Sequence, residues 1–149
     1  MPIKQTTTAE QIDAHINDFL HRKQEALLMR LSYIGEQVLN QARNWQLQAH
    51  PFTDDTGNLR SSIGYVIVKD GSVVRASSFE QVKNGSDGTS KGRSYAESLA
   101  ARYKNGIALI VVAGMNYAAY VKKRGYDVID SSELLAEQLV PQMLRELEL

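Results

Sequence analysis

Asp55-Thr56-Gly57 spells the tripeptide of an aspartic protease. In a dimeric enzyme of that kind two carboxylates, one from each copy, share a proton across the two-fold axis. The surroundings argue for something plainer. Such a motif ordinarily follows apolar residues, whereas here Thr53-Asp54 precede it and Asn58-Leu59-Arg60 follow. Thr, Gly and Asn are turn chemistry: Gly reaches positive φ, and Asp or Asn bonds to nearby backbone N–H groups. We read Asp54 to Tyr65 as a turn leading into a strand, expect no enzyme, and keep a dimeric aspartic-type protease as the alternative.

The other chemical candidates are weaker. Lys83 to Gly92, KNGSDGTSKG, is glycine-rich and polar. A phosphate loop needs four residues between its first Gly and a Gly-Lys-Ser/Thr triplet. Gly85, Gly88 and Gly92 miss that spacing and Lys91-Gly92 reverses the order, so the segment reads as a flexible loop. His15, His21 and His50 stand alone, with no metal-ligand spacing and no GxSxG elbow. There is no cysteine, hence no disulfide, thiolate nucleophile or Cys-based metal site. We expect no catalytic, cofactor-binding or metal-binding residue, and no cofactor. Two basic clusters, Lys83, Lys91, Arg93, Arg102 and Lys104 and then Lys122, Lys123 and Arg124, leave a small DNA- or portal-binding adaptor as a further alternative. However, 17 basic and 17 acidic residues balance, so no global field drives DNA contact, and none is expected. Tyr117, Tyr120 and Tyr126 crowd the second cluster, a composition common to protein–protein surfaces.

These residues need elements to position them. The chain has 149 residues, 43% hydrophobic and 23% charged, which suits one globular domain over 1–149. Thr8 and Gln11 form a capping box. Behind it Ile12, Ile16, Phe19, Leu27, Leu31, Ile34, Val38, Ala42 and Trp45 recur at helical spacing, predicting a helix over 9–48. A helix of about 40 residues spans roughly 60 Å, far beyond a compact domain of this size. It either breaks near His21 to Gln24 or protrudes, and a protruding apolar stripe needs a partner.

The body is expected over 53–149. Ser61 to Phe79 reads as a β-hairpin about Asp70-Gly71. A flexible loop follows over 83–93, then a helix capped by Ser94 with Tyr95, Leu99 and Tyr103 as its stripe. Ile107 to Ala113 reads as a strand covered on both faces, and Met115 to Lys123 as a short helix stopped by Gly125. Tyr126 to Ile129 is a candidate strand. A last helix is capped by Ser131 or Ser132 and kinked or split at Pro141. The order predicts an α+β fold: a long N-terminal helix and a small, mainly antiparallel sheet with a β-hairpin, helices packed on one face. The longest apolar run, Ile107 to Gly114, is too short to cross a bilayer, and the polar N-terminus is no secretory signal. The chain reads as soluble and unexported.

Two segments taken together carry a resemblance. Thr56, Gly57, Asn58, Leu59, Arg60, Ser61, Ser62 and Ile63 match one, and Asn116, Tyr117, Ala118, Ala119, Tyr120 and Val121, with Gly125 further on, match the other. As a pair, over Ile34 to Leu139, the chain resembles the tailed-bacteriophage head–tail joining, neck or tail-completion family. Where that family commonly has a glutamate after the valine and then Gly-Thr, this chain has Lys122 and Gly125-Tyr126. The resemblance implies a non-enzymatic phage or prophage structural protein that assembles as a ring between portal and tail. Its implied partners are further copies of itself and neck or tail proteins, namely portal or adaptor and tail tube, with no membrane. Its implied location is the bacterial host cytoplasm during assembly and then the virion neck or tail. Tyr117, Tyr120, Val121, Lys122 and Arg124, with the N-terminal helix, are the candidate subunit interface. Thr56, Gly57, Asn58, Leu59, Arg60 and Ser62 are the family-marker turn.

Overall fold

The computed structural model of the chain describes residues 4, 6–48 and 50–147, Trp45 by its backbone alone. Helix α1 runs unbroken over Ala9–Arg43. Its capping box forms as read: Gln11 N–H donates to Thr8 Oγ1 at 3.1 Å, and Thr8 N–H donates to Gln11 Oε1 at 2.9 Å. The break considered near 21–24 is absent. No Gly or Pro interrupts that stretch, and Lys23 is accommodated, its ammonium over the Phe19 ring and donating to the Leu147 carbonyl. The helix ends at Arg43, short of 48, because other groups claim its last carbonyls. Gln48 Nε2 donates to Ala42 O at 2.8 Å and Arg60 donates to Arg43 O at 2.9 Å. A short 3-10 turn, Trp45–Leu47, follows.

After a four-residue helix α2, Asn58–Ser61, strand β1 spans Ile63–Lys69 and β2 spans Ser72–Ala76. Asp70 and Gly71 both have positive φ, the tight turn expected of Asp-Gly. Strand β3, Ile107–Ala113, pairs antiparallel with the other side of β1, giving the order β2-β1-β3. The chain is α+β, as its pattern indicated. Alternation along β1 sends Ile63, Tyr65 and Ile67 towards α1 and α5 (Asp130–Glu146), and Val66 and Val68 towards α3 (Ser86–Ala100). The helices therefore cover both faces of the sheet rather than the single face expected, which is why the central strand is buried from Ile63 to Val68.

The largest departure is α3. Its first half is the glycine-rich stretch expected to be a flexible loop over 83–93, and Ser94 lies inside the helix rather than at its cap. The face turned to the sheet is Gly88, Gly92, Ala96 and Ala100, while Tyr95 and Tyr103 are exposed and Leu99 is only partly buried. A Cβ on Gly88 would overlap the Asn58 carbonyl, and one on Gly92 the Ser62 carbonyl. The glycines are there for close backbone approach, not for mobility. Asn58 also acts as a remote cap: its Oδ1 accepts from Gly88 N–H at 2.9 Å, while the formal cap, Gly85, has no side chain to offer.

Two smaller corrections concern the C-terminal third. Tyr126 to Ile129 is not a strand. Only Asp127 makes a bridge, to Pro51, with its N–H donated to His50 O at 2.8 Å. Gly125 at φ 88° turns the chain, and the Asp127 carboxylate already accepts from Ser131 N–H in the first turn of α5, leaving no room for a ladder. Helix α5 continues through Pro141 as one element, begun by Ile129 and not by either serine. Pro141 is exposed, so the carbonyl it leaves free faces water, while Leu135, Leu139, Met143 and Leu147 pack against α1 and the sheet.

Tyr65 ties the sheet to α1. Its ring lies against Gly35, where a Cβ would come within 2.8 Å, and its hydroxyl donates to Glu36 Oε1 at 2.8 Å. Burial first, then the hydrogen bond and charge of Glu36, pushes the phenol up to about 12. The native state thus holds this proton more tightly than the unfolded chain, whose tyrosines titrate near 10. The resulting stabilisation is whole below pH 10 and is lost as pH rises through about 12. Tyr65→Phe is expected to cost about 1 kcal/mol at neutral pH through the lost hydrogen bond. It should also flatten the fall in urea-measured stability between pH 10 and 12, the window set by those two values.

Candidate functional site

The turn before β1 is a brace rather than a catalytic loop. Asp54 is buried, and its carboxylate accepts from Gly57 N–H at 3.1 Å and Arg60 N–H at 2.9 Å. Thr56 Oγ1 accepts from Asn58 N–H at 3.2 Å. Gly57, at φ 82°, presses on the Val82 carbonyl so closely that no side chain fits. Leu59 is 2% exposed, Ser61 Oγ accepts from Val82 N–H at 2.8 Å, and Ser62 Oγ donates to Leu59 O at 2.6 Å. Each marker residue has a bonding or packing task within the fold.

Arg60 reaches back from this turn. It donates to Arg43 O and Phe52 O and lies 4.7 Å over the Phe52 ring. Arg43 donates to Glu80 O at 2.6 Å, with the Glu80 carboxylate 3.7 Å away. Burial holds both guanidinium groups below the usual arginine range; Asp54 opposes this for Arg60, and Glu80 for Arg43. The cluster clamps the end of α1 to the turn. Asp55, the residue the protease reading would use, is exposed and stands apart from these bonds.

The second segment meets the first. Gly114, two residues before the second segment, donates its N–H to Ser62 O at 3.1 Å, and within the segment the Tyr117 hydroxyl lies beside the Thr56 side chain. Burial is the main reason the Tyr117 phenol is raised, with the charge of Asp54 adding to it. Helix α4, Ala118–Lys123, then presents the candidate interface. Tyr120 is 60% exposed, and Val121 is half-buried against the core. Lys122 pairs with Asp130 at 3.0 Å, a hydrogen bond and charge that raise its pKa. Arg124 donates to Tyr120 Oη at 3.0 Å. Of the five residues, four therefore form one exposed aromatic and basic surface, while Val121 anchors it.

The first basic cluster does not converge in the same way. Lys83 donates to the Asp54 carbonyl at 2.7 Å and Lys91 pairs with Asp87 at 3.1 Å, whereas Arg93, Arg102 and Lys104 are exposed. His15, His21 and His50 are also exposed, and among the described residues no group of acidic, His or Cys side chains could hold a metal ion. Among the described residues no helix is long and apolar enough to cross a membrane.

The remaining surface is the start of α1. Residues 9–22, fourteen in succession, are all exposed. Ile12, Ile16, Phe19 and Leu20 lie on this arm at 41–53% exposure. Sequence periodicity flagged the first three but passed over Leu20, which lies four residues after Ile16 on the same face. The molecule is thus an α+β protein with an internally braced turn and two exposed surfaces, an apolar arm and a Tyr-Lys-Arg patch. No protein-family model, curated protein or solved structure matches the chain.

Proposed function

We propose that this chain is a non-enzymatic structural subunit of a tailed-phage or prophage virion. It acts in head–tail joining or tail completion by assembling with further copies into a ring, made in the bacterial cytoplasm and ending in the neck or tail. The observation that carries the reading is the arm, Ala9 to Arg22, every residue of which is exposed, its large apolar side chains at 41–53% among the described residues. The arm leaves an apolar face of Ile12, Ile16, Phe19 and Leu20 turned to water, so a partner is the physical expectation. The phage setting comes from the paired segments, of which Thr56 and Tyr117 lie side by side, with Ser62 bonded to Gly114 just ahead of the second segment. Portal or adaptor and tail-tube proteins are the neighbours this function needs.

Deleting the gene from an inducible phage genome is expected to leave heads and tails unjoined, or tails malformed, in electron micrographs. Infectious particles at normal titre from the deletion would overturn the proposal.

A further inference from the structure

The two exposed surfaces lie at opposite ends of the molecule. Helices α1 and α5 run antiparallel: Arg30 pairs with Glu146 at 2.9 Å and Lys23 donates to Leu147 O near the root of the arm. At the other end Val38 shares a cleft with Ile129 and Ser132 at the start of α5, and Ile129 also lines the groove beside α4. From Lys23 to Val38 is roughly 22 Å along the helix. A rigid arm pointing away from that end cannot fold back onto its own α4.

Their chemistry matches. The arm has an apolar face, Ile12, Ile16, Phe19 and Leu20, spaced as the anchors of a helix that lies in a groove. Its charged side chains are Glu10, Asp13 and Asp18 against Arg22, a net negative charge, with Asp18 and Arg22 paired at 3.2 Å. Beside α4 lies an apolar groove of about 250 Å³ between α3 and β3, lined by Leu99, Val111, Ala113, Ala118, Ala119 and Lys122 among others. Lys122 lines this groove and pairs with Asp130, and the next two residues of the chain, Lys123 and Arg124, are also basic and exposed; among the described residues Lys123 has no ion-pair partner.

We infer that the arm of one copy docks in the α4 groove of a second copy, with the acidic side chains of the arm meeting Lys122 to Arg124. This rests on the assembly reading above and gives it an interface. The contact is head-to-tail, so it repeats and closes into a ring when the rotation between copies permits.

The absence of cysteine makes covalent trapping clean. Single full-length variants Ile12→Cys, Ile16→Cys and Leu20→Cys would each be mixed with Ala119→Cys and treated with a short bismaleimide. The expected result is a covalent dimer in the mixture for at least one arm position, and none from either variant alone. Adding Lys122→Glu and Lys123→Glu to the Ala119→Cys partner should cut that yield at least tenfold, as should high salt. Dimers from an arm variant alone would mean that arms pair with arms; no dimer in any mixture would mean that another protein covers the arm. Either outcome overturns the inference. Neither depends on particle morphology, so a failed docking interface and a failed virion function are told apart.

Discussion

Gly88→Ala is expected to lower the melting temperature by about 8 °C, although alanine is the better helix former. Two effects compete. The propensity gain in a helix interior is about 1 kcal/mol. Against it, the new methyl would occupy the position of the Asn58 carbonyl oxygen, a backbone atom that cannot swing aside. Overpacking of this kind costs about 1–3 kcal/mol or more, and a shift of α3 would also weaken the Asn58 to Gly88 hydrogen bond, worth about 1 kcal/mol. The net is a loss of about 2 kcal/mol, at about 4 °C per kcal/mol for a chain of this size. Ser90→Ala, on the exposed face of the same helix, should instead stabilise by a few tenths of a kcal/mol. Thermal unfolding followed by circular dichroism separates the two. A rise in melting temperature for Gly88→Ala would mean that α3 does not rest on the turn.

The neighbouring pair Asp54 and Asp55 should respond in opposite ways. Asp54→Ala removes an acceptor that serves two backbone N–H groups and leaves Arg60 without its nearest carboxylate. Hydrogen bonds to a charged group are worth about 1.5–3 kcal/mol each, and water recovers part of the loss at this partly accessible edge. The expected cost is about 3 kcal/mol in urea unfolding, and Asp54→Asn, which keeps one oxygen acceptor, should cost about half. Asp55→Asn should stay within about 0.5 kcal/mol, as for other exposed positions. The protease alternative makes the contrary demand that Asp55→Asn abolish a peptide-cleavage activity. A chain destabilised by Asp55→Asn and indifferent to Asp54→Ala would undo the brace described here.

What could be read from residues alone follows the kind of signal each carries. Thr8 and Gln11 cap α1 because a capping box is local chemistry within one turn. The Asp70-Gly71 hairpin and the strand Ile107 to Ala113 were legible for the same reason: turn residues and apolar runs act over short distances. Gly88 and Gly92 misled because glycine has two uses. In sequence it signals freedom; whether it instead allows contact is decided by Asn58 and Ser62, some thirty residues away. Asp54 was passed over in favour of Asp55 because burial and backbone bonding cannot be read from a run of two aspartates. The surface from Tyr117 to Arg124 was legible by composition. That its first tyrosine lies beside Thr56, and that the apolar arm lies at the far end of the molecule, follow only from the fold.

The remote cap on α3 has a kinetic side. The glycine-rich half of this helix has little propensity to form alone, and the group that satisfies Gly88 N–H belongs to Asn58. Its first turns therefore become stable only once the turn after Asp54 has closed and β1 lies beside β3. The start of α3 is therefore expected to form late, with φ-values near zero, so that weakening its contacts should speed unfolding while leaving the folding rate almost unchanged, as chevron plots of Gly88→Ala would show. On that expectation the junction sets how long the folded subunit persists more than how fast it forms.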